Sequence, residues 1–205
     1  MSKLEYYRDS KHGLDQRKIR DQSTKLRVIS GKFKGQRLAS PGVSETHPMG
    51  AREKIALFNM VEVADKSVLD VFAGSGALGI EALSRGAMDV VFVENAASAV
   101  RAIRHNLISL AEHDSEIMAK TRIYMQKMAN FIQEFAGERE FGVILADPPY
   151  DKINPRELQE LVKLMARGGV LMLSSPAKEE PLELVGAKLR TSRVYAAARL
   201  TIYER

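Results

Sequence analysis

The chain has 205 residues, 45% of them hydrophobic, enough for one full core with room for a small appendage. It has no cysteine, which excludes disulfides and thiolate metal sites, and His12, His47, His105 and His113 show no metal-ligand spacing. The net charge of +5 is concentrated at one end: residues 1–40 carry eleven Lys and Arg against four Asp and Glu, whereas residues 41–205 carry twenty against twenty-two. That pattern is expected of an arm that meets phosphate.

In chain order, residues 1–25 hold little apolar material and predict a basic, flexible extension. Two short strands, 26–29 and 36–39, are expected to flank a turn, Ser30-Gly-Lys-Phe-Lys-Gly35. This N-terminal β-hairpin, with the loop to residue 50, sets Lys32 and Lys34 beside Phe33, cations next to an aromatic that can grip and stack on RNA. Arg27, Arg37 and Arg52 complete the candidate RNA-binding set. A helix over 52–62 follows, with Ile55, Phe58 and Val61 facing inward.

The main domain, 51–205, is organised around Val68-Leu-Asp-Val-Phe-Ala-Gly-Ser-Gly-Ala-Leu-Gly79. Residues 67–73 predict a buried strand, Gly74 and Gly76 a tight turn, and 77–85 a helix whose free N–H groups point at that turn. Gly74, Gly76 and Gly79 fit G-x-G-x-x-G, and Glu94 lies twenty residues beyond Gly74, so a dinucleotide fold is one reading. Asp70 argues against a pyrophosphate, because an anion beside the turn suits a cationic ligand such as S-adenosylmethionine. The plainer alternative makes the glycines a turn and Asp70 a helix cap.

Further strands are predicted at 89–94, 122–125, 141–146 and 169–174, alternating with helices at 96–112, 128–135 and 156–166. That order implies a mainly parallel sheet covered on both faces. Residues 188–196 and 198–205 should close it as an antiparallel hairpin. The expected class is therefore α/β, a seven-stranded mixed sheet similar to the Rossmann-like class I methyltransferase fold, preceded by the small hairpin.

A second motif, Asp147-Pro-Pro-Tyr150, follows the strand at 141–146. Ligands in such sheets sit beyond the carboxyl ends of strands, which places this motif beside the glycine turn. Two prolines fix the backbone, leaving the Asp147 carboxylate and the Pro148 carbonyl as acceptors for an exocyclic amine and Tyr150 as a stacking ring.

With these motifs the chain resembles the bacterial 16S rRNA guanine-N2 methyltransferases that act on the small-subunit P-site hairpin. The resemblance runs from about Leu26 to Arg205 and rests on Arg27-Val-Ile-Ser-Gly-Lys-Phe-Lys-Gly35, Ala56-Leu-Phe-Asn59, Asp70-Val-Phe-Ala-Gly-Ser-Gly-Ala-Leu-Gly79, Glu81-Ala-Leu-Ser-Arg-Gly86, Asp147-Pro-Pro-Tyr150 and Leu200-Thr-Ile-Tyr203. It implies an S-adenosylmethionine site at Asp70, Phe72, Gly74 and Gly76, with Glu94 accepting the ribose hydroxyls. It also implies a catalytic group of Asp147, Pro148 and Tyr150, with no metal. The chain departs from the family pattern at His47-Pro-Met-Gly-Ala-Arg52, Gln126-Lys-Met128, Ser174 and Ala196. The implied substrate is 16S rRNA, naked or in a partly assembled small subunit.

No apolar run reaches membrane-spanning length and no signal-peptide core is present, so a cytoplasmic protein, expected as a monomer, is the reading. Competing readings are a DNA amino-methyltransferase, a non-catalytic RNA-binding relative and, more remotely, an NAD-dependent oxidoreductase.

Overall fold

The computed structural model describes residues 26–41 and 49–205. The expected extension, 1–25, and most of the loop before residue 50 lie outside the described residues. Seven strands form: β1 (Ser67–Val71), β2 (Asp89–Glu94), β3 (Thr121–Met125), β4 (Phe141–Ala146), β5 (Met165–Pro176), β6 (Lys188–Tyr195) and β7 (Ala198–Glu204). They make one sheet of order β3-β2-β1-β4-β5-β7-β6. The first five run parallel, and β7 pairs antiparallel with both β5 and β6.

The mostly apolar runs of β1, β2 and β4, interrupted within β1 by Asp70, explain the parallel centre, because such strands are covered on both faces. Helices α1 (Ala51–Met60), α2 (Ala77–Ser84) and α3 (Ala97–Ala111) cover one face together with the N-terminal segment, giving a core that includes Val68, Phe92, Ile103 and Met172. Helices α4 (Met128–Phe135) and α5 (Pro155–Glu160) cover the other, around Leu69, Val91, Phe131 and Ile144. Each such side chain, fully buried, contributes roughly 1.5–3 kcal/mol. Strand β6 ends the sheet and is mostly polar, as suits a free edge.

Three local expectations are corrected. Residues 26–39 form a hairpin-like turn with one bridge, Arg27 to Arg37, rather than two strands. Besides the bonds that close the turn, its backbone bonds to α2: the Glu81 carboxylate accepts from the Ile29 and Ser30 amides at 2.7 and 3.0 Å, and the Ser84 hydroxyl accepts from Phe33 N–H at 2.9 Å. In α1 the buried stripe runs through Lys54, Leu57 and Phe58, while Ile55 is 43% exposed. Lys54 lies inward because its ammonium donates to the Arg27 carbonyl at 2.9 Å, which pins the N-terminal segment. The helix expected over 156–166 is α5 followed by a 3-10 turn, Leu161–Leu164, and Met165 already pairs with Phe141 as β5 begins.

Candidate active site

Strands β1, β2 and β4 carry Asp70, Glu94 and Asp147 at or near their carboxyl ends. In a parallel sheet those ends face one side. Asp70 is 1% exposed, and its Oδ2 accepts from the Gly79 amide of α2 at 2.8 Å. The capping role is thus real, and it fixes the carboxyl under the glycine turn. Burial raises its pKa well above the usual carboxylate value; the Gly79 bond opposes this, and Asp147 and Glu94 raise it further. The neighbouring charges that act on Asp70 are both negative.

Strand β1 ends at Val71 because Phe72 has φ 59, in the left-handed region. Gly74 and Gly76 follow with φ 56 and 76. A left-handed Phe costs energy that only the surrounding structure can hold, a feature concentrated at ligand sites. A Cβ on Gly76 would approach the Ile103 and Phe92 side chains to 3.2 and 3.3 Å, so a side chain there would be crowded as well as strained by the positive φ. Gly79 serves packing instead: its Cβ would fall 2.3 Å from the Phe92 ring. Glu94 Oε2 accepts from Gly74 N–H at 2.9 Å and its Oε1 from the Asn95 and Ala96 amides, which ties the turn to the start of α3.

Asp147 continues β4 into Pro148 and Pro149, and a 3-10 turn (Tyr150–Lys152) follows. Burial pushes the Asp147 carboxyl up to about 6, and the nearby Ser174 hydroxyl opposes this. Tyr150 remains 39% exposed, and its hydroxyl lies 2.9 Å from Ser174 Oγ. Burial also pushes the phenol up; Ser174 opposes this, while Asp147 and Glu53 of α1 add to it. Ser174, 1% exposed on β5, thus bonds the Tyr150 hydroxyl and acts on the Asp147 carboxyl. Sequence reading marked it only as a departure; the usable signal was a polar residue closing an apolar strand, Val170-Leu-Met-Leu-Ser174.

Four of the five RNA-binding candidates lie on the N-terminal turn and the fifth, Arg52, on α1. Arg27, Lys32, Lys34, Arg37 and Arg52 are all exposed. Phe33, expected to stack on RNA, is 7% exposed within the core, and Lys32 is paired with Asp114 at 2.7 Å. The Lys32 amide bonds Ser84 O at the far end of α2, so the turn lies at the opposite end of that helix from the glycine loop, about 12 Å away along its axis. Arg52, in the first turn of α1 beside Glu53, is the member of the set adjacent in sequence to a group that acts on Tyr150.

The family described as Conserved hypothetical protein 95 matches residues 26–204. The chain belongs to this family. Its match includes the N-terminal turn as well as both motifs. Among relatives, YlbH of Bacillus subtilis, provisionally named an rRNA methyltransferase, is 31% identical over 188 residues, covering 88% of this chain and 99% of its own. Ribosomal RNA small subunit methyltransferase D of Haemophilus influenzae is 34% identical over 127 residues, covering 61% of this chain and 64% of its own. A solved structure from Escherichia coli, yhhF, provisionally named a methyltransferase, superposes with a TM-score of 0.74 at 25% identity, covering 88% of this chain and 98% of its own. This member of the Conserved hypothetical protein 95 family thus has the class I methyltransferase fold.

Proposed function

We propose that the chain is an S-adenosylmethionine-dependent rRNA methyltransferase that methylates the exocyclic N2 of a guanine in small-subunit RNA. The observation that carries the reading is the group of Asp70, Glu94 and Asp147 around a glycine turn, with only negative charges acting on Asp70. Such a site fits a ligand with a sulfonium and an ammonium, and it fits a pyrophosphate poorly. The relatives named as rRNA methyltransferases supply the substrate class, and the Asp147-Pro-Pro-Tyr150 resemblance supplies the guanine amine.

S-adenosylmethionine, when bound, supplies a methyl carbon made electrophilic by its sulfonium. Asp70, Phe72, Gly74 and Gly76 would hold its methionine part and Glu94 its ribose. A guanine amine is a weak nucleophile because its lone pair is delocalised into the ring. The Asp147 carboxylate and the Pro148 carbonyl, each accepting one of its N–H hydrogens, favour a pyramidal nitrogen with the lone pair free. Asp147 then takes the proton the nitrogen must lose, a task for which a carboxyl raised to about 6 is better suited than an ordinary one. Tyr150 offers a half-open ring on which an unstacked base can lie. Positioning and electrostatics supply most of the rate acceleration.

Asp147→Ala is expected to lower transfer by at least about a hundredfold while leaving cofactor affinity within about threefold. Calorimetric titration with S-adenosylhomocysteine beside a single-turnover assay checks this. Equal loss of both would contradict the role given to Asp147.

A further inference from the structure

Strand β6, Lys188-Leu-Arg-Thr-Ser-Arg-Val-Tyr195, is the outermost strand, and its outer edge pairs with no strand among the described residues. It carries three cations and no acid. Lys188, Arg190 and Arg193 are exposed, and none of the three is in an ion pair among the described residues. Arg199, one strand inward, is by contrast engaged with Ser192, the Ala177 carbonyl and Glu180.

The sheet register connects this edge to the candidate site. Ser174 pairs with Leu200, and Leu200 pairs with Arg193. Directly opposed residues point to one face, so Arg193 stands on the face of Ser174, about 10 Å away across two strand spacings. From Arg193 the strand leads away from the Tyr150 end; Arg190 lies in a register shift between Leu189 and Thr191, and Lys188, paired with Glu204, lies four register steps back, roughly 13 Å along the edge.

We propose that the β6 edge is an RNA-binding surface on which Arg193, Arg190 and Lys188 hold successive phosphates of the strand flanking the methylated base. The inference rests on the function proposed above for its ligand class and on the sheet register for its place. Cations and unpaired backbone N–H groups along one edge suit a polyanion. They disfavour a second copy of the chain, because antiparallel self-pairing about the strand's midpoint would set Arg190 opposite Arg193 of the second copy.

The test uses the full chain with Lys188, Arg190 and Arg193 all replaced by Ala, and a second variant, Arg190→Lys with Arg193→Lys, that keeps the charge. Equilibrium binding to small-subunit RNA lacking the modification is measured from low to high salt, beside methyl transfer and solution mass. The triple-Ala variant is expected to bind RNA about tenfold or more weakly at low salt, with a salt slope shallower by roughly two to three. Its rate at saturating RNA and its cofactor affinity should match the parent, and the Lys variant should retain the parent slope. Unchanged affinity and slope in the triple-Ala variant would overturn the proposal, whether or not the parent transfers methyl. Failure of the parent to transfer methyl, with RNA binding still lost in the triple-Ala variant, would instead count against the methyltransferase reading and leave β6 supported. A parent dimer that the triple-Ala variant dissolves, with RNA affinity unchanged, would assign the edge to self-association and also overturn it.

Discussion

Asp147 is held in conditions that oppose its own ionisation. Burial raises it from 3.8 to about 6, so the folded chain keeps this proton to a higher pH than the unfolded chain does. The stability it contributes is therefore present at acid pH and lost as pH rises through about 6. Asp147→Asn is accordingly expected to stabilise the protein at pH 8 by on the order of 2 kcal/mol, with the gain vanishing near pH 4. Denaturant titrations across that range check this, and a variant that is less stable at pH 8 would contradict it. Transfer by the parent should fall on the acid side through about pH 6. Ser174 modulates the same carboxyl, since its hydroxyl lowers the Asp147 pKa and bonds Tyr150. Ser174→Ala should move the acid limb of the pH–rate profile upward and cost roughly tenfold in kcat/KM, the scale of one hydrogen bond to a charged group. Ser174→Thr, keeping the hydroxyl, should restore the limb; a limb that stays in place in the Ala variant would show that Ser174 acts on packing alone.

Among the elements, α2 connects site to scaffold. Its first turn is held by Asp70 and its last by the N-terminal segment, through Glu81 and Ser84. Glu81, fully buried, accepts from two backbone amides and the Arg85 guanidinium. Removing it leaves three donors without their acceptor. Glu81→Ala is expected to destabilise the fold by about 3–5 kcal/mol. Early amide exchange at Ile29 and Ser30 would locate the effect, and a loss under 1 kcal/mol would contradict it. This anchoring also explains the local misreadings of the sequence. Ile55 and Lys54 exchange places because a buried lysine is tolerated only where a carbonyl receives it, and that carbonyl, Arg27 O, is remote in the chain. Residues 26–29 and 36–39 read as strands because their side chains suit strands, yet α2 takes the Ile29, Ser30 and Phe33 amides and one bridge is left between the two segments. Phe33 sits between lysines, and only the tertiary packing shows that it faces the core.

For the whole molecule, the sheet was legible because its evidence is local and periodic. Seven apolar or alternating segments, two glycines at left-handed positions and a closing hairpin each announce themselves within a few residues. Asp70, Glu94 and Asp147 were legible for the same reason, as each stands at or near a strand end. The part of Ser174 was not, because it comes beside Asp147 and Tyr150 only through the pairing of β4 with β5. The basic residues were the least legible. Charge along a chain does not say which end of a helix it will occupy, and Lys32 lies at the far end of α2 from the glycine turn. The β6 cations, of which Arg193 is level with Ser174 by register, are marked in sequence only as an unremarkable edge strand.

The central claim is tested most directly by the identity of the product. The chain is incubated with methyl-labelled S-adenosylmethionine and small-subunit RNA or particles lacking the modification, and the labelled RNA is digested to nucleosides. One labelled species, N2-methylguanosine, at a single site is the expected result. Label in N6-methyladenosine would keep the chemistry and overturn the base assignment. No transfer to either form of RNA, beside a related enzyme that is active on both, would contradict the account.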